Sequence, residues 1–311
     1  MEKTTNVKKY LKEVNKSSID LIYPVFVKEE IKTKQKAPLP QLYINSINSI
    51  VDEIDDAIKH NVNAFLLFGI PAKKDIHSAY KKENIVSQSI RKLKEHFGDK
   101  ITLFSDVGLS PYSPEGQSVI YKNNKIDVKS SFEIASKMAI SYADAGVDFV
   151  APCLSLKEQV KTLREGLNNA GYNKTGIMAY SAKYASSLYG PYRATVDSKL
   201  GFKKKEDYQL DYNDYKEGLK VMKTDLREGA DIVMVKPGLT YLDIICRASR
   251  IIKKPIAVYN VSGEYCMFKS AAEKNWIDEK AALIELVSAF KRSGAKIIIT
   301  YSAKDIASEL K

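Results

Sequence analysis

The sequence has no CxxC pair, no long apolar run and no glycine-rich dinucleotide loop after its first strand-like segment, and each absence removes a class of protein. Its three cysteines, Cys153, Cys246 and Cys266, lie far apart, so neither a zinc knuckle nor a disulfide framework is indicated and a reducing cytoplasm fits. No stretch nears the roughly 18 uninterrupted apolar residues of a membrane span, and the lysine-bearing N-terminus has no apolar signal core. The expectation is a soluble cytoplasmic protein. No Pro/Gly/Ser-rich linker and no internal sequence repeat divides the 311 residues, so one domain is expected. The formal charge of +11 comes from lysines scattered through helical stretches, with few arginines and no base-reading motif; nucleic acid is therefore not the expected partner. Such a surface can still steer anionic metabolites.

What the chain does contain is a series of apolar, β-branched runs at residues 21–27, 64–70, 101–106, 147–152, 176–181, 232–236, 256–260 and 297–301. Each reads as a buried parallel strand. Between them lie amphipathic stretches, among them Val51, Ile54 and Ile58, or Leu283, Val287 and Phe290, whose spacing places apolar side chains on one helical face. Ser130 with Glu133, and Asp214 with Glu217, have the spacing of helix-starting capping boxes. Eight strands alternating with helices predict an α/β fold, a (β/α)8 barrel rather than an open doubly wound sheet. Residues 1–20 form a short N-terminal arm in this scheme, and residues 21–311 the barrel. The alternative for the first sixteen residues is a frayed basic tail.

A barrel gathers its strand C-termini on one face, where barrel enzymes build their sites. Those ends carry Asp106, Ser181 with Lys183, Lys236, Asn260 with Ser262, and Tyr301. A single lysine closing an apolar run is ordinarily a snorkelling side chain. Two lysines on consecutive strands, Lys183 and Lys236, are different: apolar walls and a neighbouring cation both depress an amine's proton affinity and make it a nucleophile for carbonyl carbon. Asp106 is read either as a proton-transfer group or as a strand-end carboxylate accepting backbone hydrogen bonds. The longest connection, about 189–213, includes Lys203 to Asp207 and is expected to be a lid over the lysines.

The segments around these residues carry a resemblance. Residues 178–187 (Met-Ala-Tyr-Ser-Ala-Lys-Tyr-Ala-Ser-Ser), 189–193 (Tyr-Gly-Pro-Tyr-Arg), 234–238 (Met-Val-Lys-Pro-Gly) and 259–265 (Tyr-Asn-Val-Ser-Gly-Glu-Tyr) closely resemble the porphobilinogen synthase family, also called δ-aminolevulinic acid dehydratase. The likeness runs from residues 21–27 through Phe68-Gly69-Ile70-Pro71 to residues 299–305. It implies a (β/α)8 barrel that condenses two 5-aminolevulinate molecules to porphobilinogen with loss of two waters, in tetrapyrrole (heme) biosynthesis. Carried over by motif, Lys236 is the principal Schiff-base lysine, and Lys183 forms the second imine or tunes the first. Ser262 and Tyr301 bind the carboxylate of one substrate; Arg193, Lys205 and Gln209, with Tyr189 of the lid motif, serve the other. A divergent aldolase-like paralogue and a catalytically silent relative that binds tetrapyrrole precursors or nucleic acid are the competing readings.

Three departures accompany the resemblance. Many relatives hold an active-site zinc on three cysteines, at positions that read here as Gly108, Ser110 and Ser118; no side chain and two neutral hydroxyls are not zinc ligands, so no catalytic metal is predicted. The family's second basic lid residue is an arginine where this chain has Lys205, which keeps the charge without bidentate carboxylate recognition. An acidic Met-Asp-Gly stretch after the fourth strand is replaced by Leu156-Lys157-Glu158, and the glutamate of magnesium-stimulated members maps to Val221. Stimulation by a remote divalent or monovalent ion stays open. The resemblance also implies a homo-oligomer, dimer-based with a hexamer or octamer as alternatives. Gly238 and Gly263 are read as possible turn formers.

Overall fold

Parallel strands need apolar side chains on both faces, because helices cover one side and the barrel interior fills the other. The computed structural model describes residues 6–16, 20–198 and 204–309, and within them eight such strands form: β1 (Asp20–Lys28), β2 (Ala64–Ile70), β3 (Thr102–Val107), β4 (Phe149–Pro152), β5 (Gly176–Lys183), β6 (Ile232–Lys236), β7 (Ile256–Asn260) and β8 (Ile297–Thr300). Every residue of β2 through β8 is buried. They hydrogen-bond in chain order, and β8 returns to β1 with Ile297 beside Asp20 and Ile299 beside Ile22. The sheet is therefore closed, as expected of a (β/α)8 barrel.

The helices lie between the strands. They include α1 (Asn6–Lys16), α2 (Ile50–Lys59), α3 (Ile85–Phe97), α4 (Val128–Asp144), α5 (Gln159–Asn169), α6 (Gly190–Thr195), α7 (Tyr215–Arg227), α8 (Leu242–Ser249), α9 (Ser262–Glu273), α10 (Glu279–Ser293) and α11 (Ala303–Ala307). Ile54 of α2, and Leu283, Val287 and Phe290 of α10, are buried as their spacing requires. Asp214 caps α7, its carboxylate accepting the amides of Lys216 and Glu217. At α4 the expected start is displaced: Asp127, three residues before Ser130, is the cap, and the Ser130 amide and hydroxyl both donate to it. A carboxylate is the stronger acceptor for those orphan amides, so the helix begins earlier. Short strands at Gln35–Lys36, Tyr43–Asn45, Tyr121–Lys122 and Lys125–Ile126 were not anticipated; runs of two or three residues leave no periodic signal.

Within the expected arm, residues 6–16 are the helix α1, which packs on this chain's own barrel. The Asn6 amide donates to the Ile101 carbonyl and to Asp148, each at 3.0 Å. The Tyr10 ring meets Phe104 and Phe149 edge-on, with centroids 5.4 and 5.6 Å away. This helix closes the N-terminal end of the barrel, which leaves the opposite end for chemistry. No helix among the described residues is long and apolar enough to cross a membrane.

Candidate active site at the barrel mouth

The two lysines face each other because β5 is one residue longer than β6 over the same distance. Ala179 lies beside Val233 and Ala182 beside Val235, so Tyr180 and Ser181 oppose Met234 alone. That irregularity shifts the register and sets Lys183 directly beside Lys236. A one-residue slip in a sheet sends a side chain to the other face. Without it Lys236 would pair with Ala182.

Both amines are buried, and they enter one cleft lined also by Asp106, Ser110, Ser118, Cys153, Tyr180, Tyr189, Tyr192, Arg193, Lys205 and Gln209. The Lys236 ammonium nitrogen sits among four tyrosine rings: Tyr259 at 4.2 Å, Tyr180 at 4.8 Å, Tyr189 at 5.3 Å and Tyr192 at 5.7 Å to the centroids. Burial and then the charge of Lys183 bring its pKa down to about 7, against the opposing pull of Asp106. Ring faces ease the loss of water around a cation but do not replace it. Near neutrality a large share of Lys236 is therefore the free amine. Lys183 instead donates to the Cys153 carbonyl at 2.7 Å.

Asp106, at the end of β3, is raised in pKa by burial while both lysines pull it down. The Cys153 thiol donates to it at 3.5 Å, and the Tyr180 hydroxyl is a second hydrogen-bonding neighbour. Behind Lys236, the Glu264 carboxylate accepts the Leu239 amide at 2.7 Å, the Val261 amide at 2.8 Å and the Asn260 side chain at 3.2 Å. It thereby pins the turn that follows the cis Lys236-Pro237 bond, and its own pKa is pushed up to about 7 by burial.

The described parts of the connection expected to be a lid lie over this floor. Tyr189 donates its hydroxyl to the Tyr184 and Lys236 carbonyls at 2.7 and 3.2 Å, and α6 follows with Tyr192 and Arg193 turned to the cleft. Residues 199–203, including Lys203, lie outside the described residues. The chain then returns at Lys204, and Leu210 donates to the Lys183 carbonyl at 3.1 Å. Lys205 is buried with its nitrogen 3.0 Å from the Gly116 carbonyl and 2.9 Å from the Tyr208 hydroxyl, and burial, then Lys183 and Arg193, lower its pKa well below the ordinary lysine value. The Gln209 carbonyl oxygen is buried with no hydrogen-bond partner.

Ser262 and Tyr301 are placed differently. Neither lines this cleft. The Ser262 hydroxyl accepts the Tyr192 amide at 3.0 Å and donates to the Leu188 carbonyl at 3.3 Å, so the lid backbone occupies it. Tyr301 hydrogen-bonds Tyr259, hydroxyl to hydroxyl at 3.2 Å, and Tyr259 in turn packs on the Lys236 amine. Tyr180, Tyr192 and Tyr259 stood inside motifs, and Cys153 among the three separated cysteines, without an assigned role, because only the folded chain brings them to the lysines. Leu156, Lys157, Glu158 and Val221 line a separate cleft beside α7, away from the lysines.

The two glycines singled out in these loops are close-approach positions, and Gly238 also sits in the turn after Pro237, its carbonyl accepting the Tyr241 amide at 3.1 Å. A β-carbon at Gly263 would lie 2.6 Å from the Leu188 carbonyl oxygen and 2.7 Å from its α-carbon, and one at Gly238 would strike Val258 and Phe290. Because Leu188 is backbone, the contact cannot be relieved by a rotamer change. Gly263→Val is expected to push α6 off α9 and to lower activity at least about tenfold with a modest loss of melting temperature; steady-state kinetics and thermal melting check it, and unchanged kinetics would contradict the packing.

Ser110 and Ser118 enter the cleft and Gly108 borders it, so the zinc-cysteine positions of relatives do converge in space here. Their donors are two hydroxyls that stay protonated at neutral pH, and a β-carbon at 108 would meet the Cys153 thiol and Asp106. That donor set does not fit zinc. Among the described residues no group of three His, Cys, Asp or Glu side chains is arranged to hold a metal.

A pair of buried amines at the mouth of a closed parallel barrel defines a class, the barrel enzymes that capture carbonyl compounds on lysine. The chain belongs to the δ-aminolevulinic acid dehydratase family, whose model matches residues 1–309. The δ-aminolevulinic acid dehydratase of Methanothermus sociabilis is 43% identical over 313 residues, covering 100% of this chain and 97% of that protein. That of Halalkalibacterium halodurans is 37% identical, covering 99% and 94%. The solved structure of the Toxoplasma gondii enzyme, in complex with the reaction product porphobilinogen, superposes with a TM-score of 0.90 at 34% identity and covers 99% of this chain and 92% of its own.

Proposed function

We propose that this protein is a porphobilinogen synthase that condenses two 5-aminolevulinate molecules, with loss of two waters, through imines on its own lysines and without an active-site zinc. The observation that carries the reading is Lys236, buried among four tyrosine rings and set in register beside Lys183, with burial and that neighbouring charge lowering its pKa. The free amine of Lys236 adds to the keto carbon of one substrate to give a carbinolamine; protonation of its hydroxyl expels water and leaves an imine. An iminium withdraws electrons, so the adjacent carbon loses a proton readily, and Asp106, which shares the cleft with both lysines, acts as the base that takes it. Lys183 holds the other substrate's carbonyl as a second imine, the activation a metal supplies in relatives with a zinc site. Arg193, Lys205 and the Gln209 amide receive one carboxylate. Ser262 and Tyr301 receive the other once the lid gives up its bonds to Ser262.

Borohydride reduction in the presence of 5-aminolevulinate tests the imines. Peptide mass mapping should find a stable adduct on Lys236, and a second on Lys183; no adduct on either sinks the mechanism. Protein stripped with a strong chelator should form porphobilinogen at an undiminished rate. Loss of that rate, restored by zinc, would overturn the metal-free reading.

The same proposal includes a cytoplasmic site of action, consistent with three cysteines that are all unpaired, and a homo-oligomer. Trp276 and Ile277, exposed between α9 and α10, supply apolar surface that association would cover. Light scattering coupled to size exclusion decides this, since a monomer at assay concentration rules the oligomer out.

A further inference from the structure

Cys153 follows β4 and its side chain points back to β3, where the chain has no side chain at 108. An ideal β-carbon built on Gly108 would overlap the Cys153 sulfur and lie 2.8 Å from Asp106 Oδ2. The thiol thus occupies the volume that any other residue at 108 would claim. It is buried beside Asp106, and burial and then the Asp106 charge push its pKa up to about 12, so it remains a thiol and a hydrogen-bond donor at neutral pH. The same residue's carbonyl accepts Lys183 at 2.7 Å. Cys153 therefore touches both the carboxylate and one amine of the proposed reaction, through two different atoms.

We infer that Cys153 is a positioning residue that aims the Asp106 carboxylate at the substrate carbon, and that Gly108 is required because the Cys153 thiol fills its side-chain space. The inference rests on the proposed role of Asp106 as proton acceptor. The geometry makes the two positions one unit. A methyl group at 108 evicts the sulfur, which turns about its side-chain bond and takes away the thiol donor, leaving Tyr180 on one side of Asp106; the carboxylate is then shouldered away from the lysines. Because the displaced atom is a side-chain terminus rather than backbone, the fold survives and the cost falls on proton transfer. Smaller groups at 153 relieve the crowding but also remove the donor, and a hydroxyl restores a donor at nearly the same place.

A double-mutant cycle on the full-length protein separates these effects. Cys153→Ala should lower kcat about tenfold while KM and the rate of borohydride-trapped imine on Lys236 change less than about twofold, since neither binding nor imine capture uses the thiol. Cys153→Ser should recover most of that kcat. Gly108→Ala should cost at least about tenfold in the wild-type background and at least about fivefold less when Cys153 is already alanine. Equal costs in the two backgrounds, unchanged kcat in Cys153→Ala, or parallel losses in imine and product would overturn the inference. Absence of any imine in the wild-type protein would instead strike at the reaction proposed above. If Gly108→Ala fails to fold, the Cys153→Ala and Cys153→Ser pair decides by itself through the split between kcat and trapped imine.

Discussion

Lys236→Met should lose at least about 10⁴-fold in porphobilinogen formation and all borohydride-trapped adduct at that position, because the side chain that forms the first covalent bond is gone. Methionine matches the lysine stem in length and belongs among four tyrosine rings, so the loss should not come from unfolding. Stability should in fact rise. Lys236 has its folded pKa depressed to about 7 from the ordinary 10.5, so between those values the unfolded chain binds a proton that the folded one refuses. Folding is penalised below about pH 7, and the penalty fades as pH climbs toward 10.5. The methionine variant carries no such penalty. Its melting temperature should exceed the wild type's by a few degrees at pH 7 and by less at pH 10. Equal melting at pH 7 would show that Lys236 is not desolvated as the structure places it.

Lys183→Met is expected to separate capture from condensation. With Lys183 absent, Lys236 retains its cage and should still trap substrate under borohydride, yet porphobilinogen formation should fall at least about 10³-fold under the proposed mechanism, since the second carbonyl then has no imine partner. Removing the neighbouring cation also lifts one of the two influences that depress Lys236. Its pKa rises, so the pH midpoint for imine formation should move upward from about 7. Single-turnover trapping across pH 6 to 9 measures that midpoint. A midpoint that stays in place would mean that the two charges do not interact across the strand pair.

The barrel was legible in the sequence because each of its strands is buried on both faces and so appears as an unbroken apolar run, as at residues 64–70 and 232–236. The capping of α7 was legible for a local reason, the spacing of Asp214 and Glu217. Caps read less well where two candidates compete, and Asp127 displaced Ser130. Lys183 and Lys236 could be placed at neighbouring strand ends from the alternation of strands and helices. Their shared face could not, because it depends on the single extra residue of β5 at Tyr180 and Ser181, and an apolar strand reads the same with or without a bulge.

By itself, then, the sequence determined the closed barrel and the two candidate nucleophiles at its strand ends, which depend on local residue type and spacing; the mapping of zinc-ligand positions onto Gly108, Ser110 and Ser118 came from the family resemblance. Only the tertiary structure decided the register that faces Lys183 to Lys236, the ring of Tyr180, Tyr189, Tyr192 and Tyr259 that desolvates one amine, the engagement of Ser262 by the lid and the fit of Cys153 into the space at Gly108. Those features join residues from different strands and loops. Distance and burial between remote segments come into being only when the chain closes, and they set proton affinity and reach more strongly than any neighbour in sequence.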